Sequence, residues 1–333
     1  MDVFLPSYYS GFTCIASACP DSCCKEWEID IDDTTAKFYK ELPGALGEKL
    51  RTFLKDTEAG TVMTIHKGRC PMWRNDGLCE IQAQLGEDAL CQVCREFPRL
   101  RHDYGTFVEL GLELSCPEAA RLIFAEEKAQ LLHQQVCGGE EPAYDVEVME
   151  ILRRTRDELL EFVDAREYSV QETLAIFLLY AYDVQNEIDG GEKAVLDPQN
   201  CLSTVGTIVK PAEPAALFAF FGKLEILTDE WKGLLQRGVV NANWNEALRP
   251  LLRYGILRYW LQAVSDFDLV CRVKFILAAC ILVNAMGGDI VRVSQLFSKE
   301  IENNFDNVEI ILDSAYSEPA LTDIYLISLL FQK

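Results

Sequence analysis

The chain has 333 residues, 49% of them hydrophobic, which is ample for a sizeable core in one large domain or two. Its 53 acidic and 31 basic side chains leave a net charge of −22. That balance argues against nucleic acid, whose binders carry basic patches, and against anionic membranes; it suits a cationic target, or serves solubility alone. Thirteen cysteines stand out. Nine arrive in bursts: Cys14, Cys19, Cys23 and Cys24, then Cys70 and Cys79, then Cys91 and Cys94, then Cys116. Cys137, Cys201, Cys271 and Cys280 are scattered and fit ordinary core positions.

In chain order, FLPSYYSGF (4–12) is aromatic-rich. Tyr8 and Tyr9 either face a substrate, as acid–base groups or an ammonium cage, or pack over the loops that follow. EWEIDIDD (26–33) alternates strictly and predicts a half-buried strand, with Glu26, Glu28, Asp30 and Asp32 along one face. Those carboxylates form either a solvated face or a receiver for a lysine-rich surface. Helices are expected from Asp33 to Glu41 and over 46–54, then a turn at 58–60 between short strands. His66 is a candidate ligand or a surface residue. GEDALCQVCREFP predicts one helix from Gly86 to Pro98, with Cys91 and Cys94 on one face. Arg95, Arg99, Arg101 and His102 make the one dense basic patch. It either balances thiolates, holds a ligand carboxylate, or is plain surface. A strand over 106–113 delivers Cys116.

Beyond Pro117 the pattern becomes helical: 119–135, 145–163, 169–186, 213–236, 245–264, 266–286, 289–303 and 319–331. The turn-rich segment 137–142 is the best boundary, dividing a cysteine-rich module (1–136) from a helical domain (137–333). The loop 187–211 is expected to be mobile. VKFILAACILVNAM is too short for a membrane span and is expected to be the central core helix. The fold class is therefore mainly α: a multi-helical chain with a small cysteine-rich N-terminal metal-binding module containing short strands.

Disulfides, a metal or iron–sulfur site, and a catalytic thiol compete to explain the clustered cysteines. The opening MDVFLPSYYSGF has no basic region followed by an apolar run, so no signal peptide is expected, and a cytoplasmic location keeps thiols reduced. Cys19, Cys70 and Cys116 each precede proline, which favours extended geometry suited to a ligand on a loop. Thiolate sets favour zinc or iron–sulfur clusters over hard cations. No short motif decides between them. The single CxxC pair is one too few for a zinc ribbon, and both the radical-type Cys-x3-Cys-x2-Cys run and the plant ferredoxin run fail. The ligands must come from separate segments. There is likewise no GxGxxG, P-loop or HExxH.

Three strings, TCIASACPDSCCKEWEIDIDDTTAKFY, RCPMWRNDGLCEIQAQLGEDALCQVCREFPR and LGLELSCPEAARLIF, resemble the N-terminus of the flagellin lysine N-methylase family, as does the opening LPSYY. The likeness spans about residues 4–125. More distantly, the Cys-x4-Cys-x3-Cys-Cys pattern, with Cys79-Glu80-Ile81 and Cys94-Arg95, is similar to small bacterial zinc- or iron-chelating domains. The resemblance implies S-adenosylmethionine-dependent methylation of lysines on flagellin, or on another lysine-bearing protein, with a [4Fe-4S] cluster. It implies that the ligands lie among Cys14, Cys19, Cys23, Cys24, Cys70, Cys79, Cys91, Cys94 and Cys116. The alternative is a non-catalytic chelating protein whose zinc or iron is structural or redox-sensing.

Overall fold

The computed structural model describes every residue except Glu127, Ala129, Cys137, Gly139, Glu140, Asn241, Ala242, Gln332 and Lys333. Cys137 and part of the expected 137–142 linker therefore lie outside the described residues. The chain enters as β1 (Asp2–Pro6), which the sequence pattern did not announce. The Glu26–Asp33 segment yields a shorter strand than its alternation suggests, β2 (Ile29–Ile31), with Ile29 and Ile31 buried and Asp30 exposed. Glu26 has φ +77, outside strand geometry, so the row of four carboxylates breaks up.

Next come α1 (Asp33–Glu41), α2 (Gly44–Phe53), and the hairpin of β3 (Leu54–Thr57) and β4 (Gly60–Met63), which pairs onto β2 in the order β2-β4-β3. Asp32 works at two helix ends. One carboxylate oxygen accepts from the Thr35 amide (3.0 Å), the other from the Gln92 amide (3.0 Å). The helix expected over 86–98 is broken. α3 (Glu80–Leu85) stops at Gly86 (φ +89), Leu90 and Cys91 are extended, and α4 is only Gln92–Glu96. These elements share a small core of their own, with Ile29, Tyr39, Leu50, Met63, Met72 and Ile81 at its centre.

β5 (Arg99–Asp103) and β6 (Phe107–Leu112) follow, then α5 (Pro117–Ala125) and β7 (Leu131–Gln135). The helix expected over 119–135 thus ends ten residues early. Leu131–Gln135 instead completes a sheet of order β5-β6-β1-β7, pairing antiparallel with β1 along its whole length. The partner strand, distant in sequence, overrides the local helical periodicity. This sheet packs on the large core, not the small one: Phe107 and Leu112 belong to the large cluster and Phe4 packs against it.

The helical body comprises α6 (Val146–Ala165), α7 (Val170–Ile188), α8 (Pro198–Ile208), α9 (Ala215–Phe221), α10 (Asp229–Arg237), α11 (Arg249–Tyr259), α12 (Leu269–Met286), α13 (Ile290–Phe297), α14 (Phe305–Ser314) and α15 (Asp323–Leu330). α8 corrects the expected mobile loop. Asp197 caps it, Pro198 starts it, and Cys201 and Val205 bury its inner face. The helix expected over 213–236 is two helices, separated at Gly222–Leu227 and restarted by the Thr228 cap. α12 is long and apolar enough to cross a membrane, but all 18 of its residues are buried inside the protein. It is the core helix, as its composition suggests.

Candidate metal centre

Four backbone links bring the cysteine loops together. The Cys70 amide donates to the Cys24 carbonyl (2.8 Å), and Lys25 and Arg69 form an antiparallel bridge beside it. The Glu80 amide donates to the Met72 carbonyl (2.8 Å), next to a second bridge between Trp73 and Cys79. Gly77 has φ +82, and a Cβ there would stand 3.1 Å from Ser17 Cα, so a bare backbone lets the 75–79 turn seat against the Cys14–Cys19 loop. Asp32, through Gln92, fixes the start of α4 and with it Cys91 and Cys94.

The thiols respond to one another accordingly. Cys24 lies in hydrogen-bond contact with Cys23 and Cys70, and those contacts, together with burial, push its pKa far up. The same contact holds Cys70 at about 7 against the opposing effect of burial. Cys91, outside the helix as the residue before α4, still meets Cys94: contact lowers Cys91 and raises Cys94. Cys94 also feels the charges of Cys23 and Cys70, and so does Cys79, where burial is the main cause of its raised pKa. Six thiols thus form an inner group. Cys116 is pushed up to about 11, mainly by burial and also by Cys19 and Cys23. Cys19, also raised mainly by burial, feels Cys23, Asp21 and Cys14. All nine candidate cysteines occupy one electrostatic neighbourhood, and all are free thiols. Cys201, Cys271 and Cys280 are buried in the helical body, as expected of core residues. Among the described residues, no group of three or more His, Cys, Asp or Glu side chains converges on a single ion position.

The inner group is tied to the helical body by a buried ionic link that sequence reasoning missed. Asp21, 8% exposed, sits in the CPDSCC loop. It meets Lys299 (3.4 Å), Arg292 (3.3 Å) and Lys25 (3.7 Å). Lys299, 3% exposed, also meets Glu26 (2.8 Å) and lies over the Trp27 ring (5.1 Å). It comes from a π-helical turn, Ser298–Glu302, that continues α13. Gln295 on α13 donates to Asp21 (3.4 Å) and to the Ser115 carbonyl (2.6 Å), so both the Cys19–Cys24 loop and the Cys116 loop are anchored to one helix. An aspartate between two cysteine pairs was the available signal; nothing local marks Lys299.

The other sequence candidates fall elsewhere. Tyr8 is buried in the large core and Tyr9 packs against it. His66 is exposed, its ring 5.8 Å from Phe53. Arg99 and Arg101 lie on β5, Arg99 over the Phe12 ring (5.1 Å) and Arg101 paired with Asp103 (2.7 Å).

Fold and site together define a mainly helical protein that gathers a thiol cluster from loops of a small strand-containing module and pins it to the helical body. The chain is 33% identical over 144 residues to the flagellar biosynthetic protein FliU of Salmonella muenchen, a match covering 81% of that protein and 39% of this chain. It is 34% identical over 140 residues to the lysine-N-methylases of Salmonella typhimurium and Salmonella choleraesuis, matching 39% of this chain but only 34% of their length. The chain belongs to the FliU/lysine-N-methylase family. No protein-family profile and no solved structure matches it.

Proposed function

We propose that this protein N-methylates lysine side chains of a protein substrate, flagellin being the first candidate, with S-adenosylmethionine as methyl donor and an iron–sulfur cluster held by the cysteine module. The observation that carries the reading is the mutual electrostatic influence of the clustered cysteines, drawn from segments far apart in sequence, in a chain similar to proteins named lysine-N-methylase. The donors fit the group. Thiolates are the donor type for an iron–sulfur cluster; a cubane takes four, spread around it rather than converging on one ion, and six stand in the inner group of Cys23, Cys24, Cys70, Cys79, Cys91 and Cys94. Lys49 beside Cys70 and Lys299 beside Cys23 favour their thiolate forms. The methyl donor supplies an electrophilic methyl group. The protein must hold the lysine amine deprotonated and in line with it, a task of positioning and of one proton acceptor.

The second reading, a non-catalytic chelating protein, is favoured by the chain's matching only about a third of the methylases' length. Iron, zinc and acid-labile sulfide measured on protein purified without oxygen test the centre. About four iron and four sulfide per chain are expected. Serine at Cys70, Cys79 or Cys94 should lower that content, and serine at Cys201, Cys271 or Cys280 should not. Equal loss in both sets would sink the ligand assignment. Stoichiometric zinc without S-adenosylmethionine binding would favour the chelating reading.

A further inference from the structure

A cleft of about 1100 Å³ opens at the turn between β5 and β6, walled on its other sides by the segments that precede α6 and α12. It has room for a nucleotide-sized ligand. Three aromatic residues line it, one from each segment: Tyr104, Tyr144 and Phe267. Two of them have structural supports. Tyr104 stacks on Phe107 (centroids 4.8 Å apart), and the Tyr144 hydroxyl hydrogen-bonds Thr106 Oγ1 (2.7 Å). Phe267 is the one that folding does not explain. Its φ is +60, a left-handed conformation that suits glycine or asparagine and costs a phenylalanine free energy. Three hydrogen bonds hold the turn there: the Phe267 amide donates to the Ala263 carbonyl (2.8 Å), the Phe267 carbonyl accepts from Gln185 Nε2 (2.7 Å), and Gln185 Oε1 accepts from the Leu269 amide (2.8 Å). Yet the side chain is 46% exposed, so its burial does little to offset the strain. An exposed ring kept in a strained backbone on the wall of a cleft is placed for a ligand.

The rest of the lining narrows the ligand. Aromatic rings offer stacking to a nucleobase. Asp145 caps α6 through Oδ1 (3.0 Å from the Val148 amide), and its Oδ2 has no protein partner among the described residues. An acidic oxygen so placed suits a ribose diol. Arg101, one of the basic residues that stand out in the sequence, lines the same cleft, paired with Asp103 (2.7 Å); its planar fork suits a carboxylate. Base, ribose and carboxylate in one molecule describe an adenosyl amino acid. The cleft is also remote from the thiols. Cys94 precedes β5 and Cys116 follows β6, whereas the cleft lies at the turn joining the two strands. The six residues of β6 span about 20 Å, and no cysteine lines the cleft.

We infer that this cleft holds the adenosyl methyl donor, with Phe267 against the base and Arg101 at the amino-acid carboxylate, apart from the metal centre. The inference rests on the lysine-methylation reading, but its test needs no turnover. Calorimetric titration of the full chain, purified without oxygen, with S-adenosylhomocysteine or adenosine gives Kd. S-adenosylhomocysteine should bind the tighter of the two. Phe267→Ala should weaken both about 5- to 150-fold, the worth of one base–aromatic stack. Arg101→Gln should weaken S-adenosylhomocysteine about 10- to 100-fold, the worth of a charged hydrogen bond, and leave adenosine unchanged. Phe305→Ala, which removes a 78% exposed ring outside the cleft, should change neither. Phe267→Asn, more at ease in a left-handed backbone, should lose binding like Phe267→Ala yet unfold at no lower urea concentration than wild type. Wild-type protein that binds neither compound, or Phe267 and Arg101 variants that bind like wild type, overturns the inference. So does a change in the metal centre's visible spectrum on adding S-adenosylmethionine that the Phe267 variants retain, which would place the donor at the thiols. A lower urea midpoint for Phe267→Asn, assigning the ring to folding, overturns it too. Binding lost in both variants, with no methyl transfer to any lysine-bearing protein, upholds the cleft while the methylation reading falls. Methyl transfer with an unchanged donor KM in both variants does the reverse.

Discussion

Replacing Lys299 by methionine keeps the bulk of the side chain and removes the charge, so it tests whether the Asp21–Lys299 link stabilises the molecule. Both groups are buried, and removing one partner of a buried pair costs ~3–5 kcal/mol when nothing else compensates. Here Asp21 keeps Arg292, Lys25 and the Ser22 amide (2.8 Å). The loss should therefore be smaller, ~2–3 kcal/mol. Asp21→Asn should cost a similar amount, leaving Lys299 with Glu26. The double variant should lose less than the sum of the two by at least ~1 kcal/mol, because the second substitution removes a charge already stripped of its partner. Urea unfolding followed by far-UV circular dichroism measures all four proteins. Costs that add within ~0.5 kcal/mol would show that the two groups are not coupled and refute the reasoning. The pH dependence gives a second check. Burial pushes the Asp21 carboxyl up, but Lys299, the Ser22 amide and Arg292 outweigh it and hold the pKa below the ordinary value. Asp21 therefore stabilises fully above its unfolded pKa of ~3.9, and this is lost as pH falls through the folded value. The gap between wild type and Asp21→Asn should shrink below about pH 4.

Two further outcomes probe the helical body. Gly255 lies inside α11, where a Cβ would stand 2.7 Å from Ile276 Cγ2. Gly255→Ala gains ~1 kcal/mol of helix propensity but overpacks the core by ~1–3 kcal/mol; a net loss in urea unfolding is expected, and Ile276→Val should recover part of it. His102 is pushed down to about 4, first by burial and then by Arg258. Its folded pKa lies below the unfolded value of ~6.5, so the unfolded chain takes the proton first and stability falls as pH drops from about 6.5 to 4. His102→Gln should flatten that part of the stability–pH curve; an unchanged curve would remove His102 as its cause.

The parts of the fold that were legible in the sequence are those decided locally. Ser169 with Glu172 forms a full capping box at the start of α7, and Asp145 caps α6, so both helices begin where their sequence signals place them. The apolar run of α12 announces a core helix. The failures share one physical cause. Leu131–Gln135 has helical spacing but meets β1, more than a hundred residues back, and becomes a strand. Gly86–Cys91 carries good helix-start residues, yet Asp32 from another element caps the chain at Gln92 and starts the helix there. Cys91 and Cys94 still meet, though not on one helix face. For the site, the set of cysteines was visible as bursts in the sequence, but their grouping was not. Which thiols touch depends on the Cys24–Cys70 and Trp73–Cys79 links, and those join residues with no sequence relation.

The same long-range logic explains how thiols drawn from irregular segments are held in one neighbourhood. The Cys14–Cys24 stretch has no strand and a single short 3-10 turn, Ala16–Ala18, with Ala16 in a left-handed conformation, so its own backbone hydrogen bonds fix little. Its rigidity comes from outside. Asp21 is drawn into a buried pocket of cations on α13 and the turn after it. From the same helix, Gln295 holds the carbonyl next to Cys116. A cluster site needs its donors positioned before the metal arrives, since each sulfur left free to move adds an ordering cost to binding. The helical body therefore acts as the outer frame of the thiol centre.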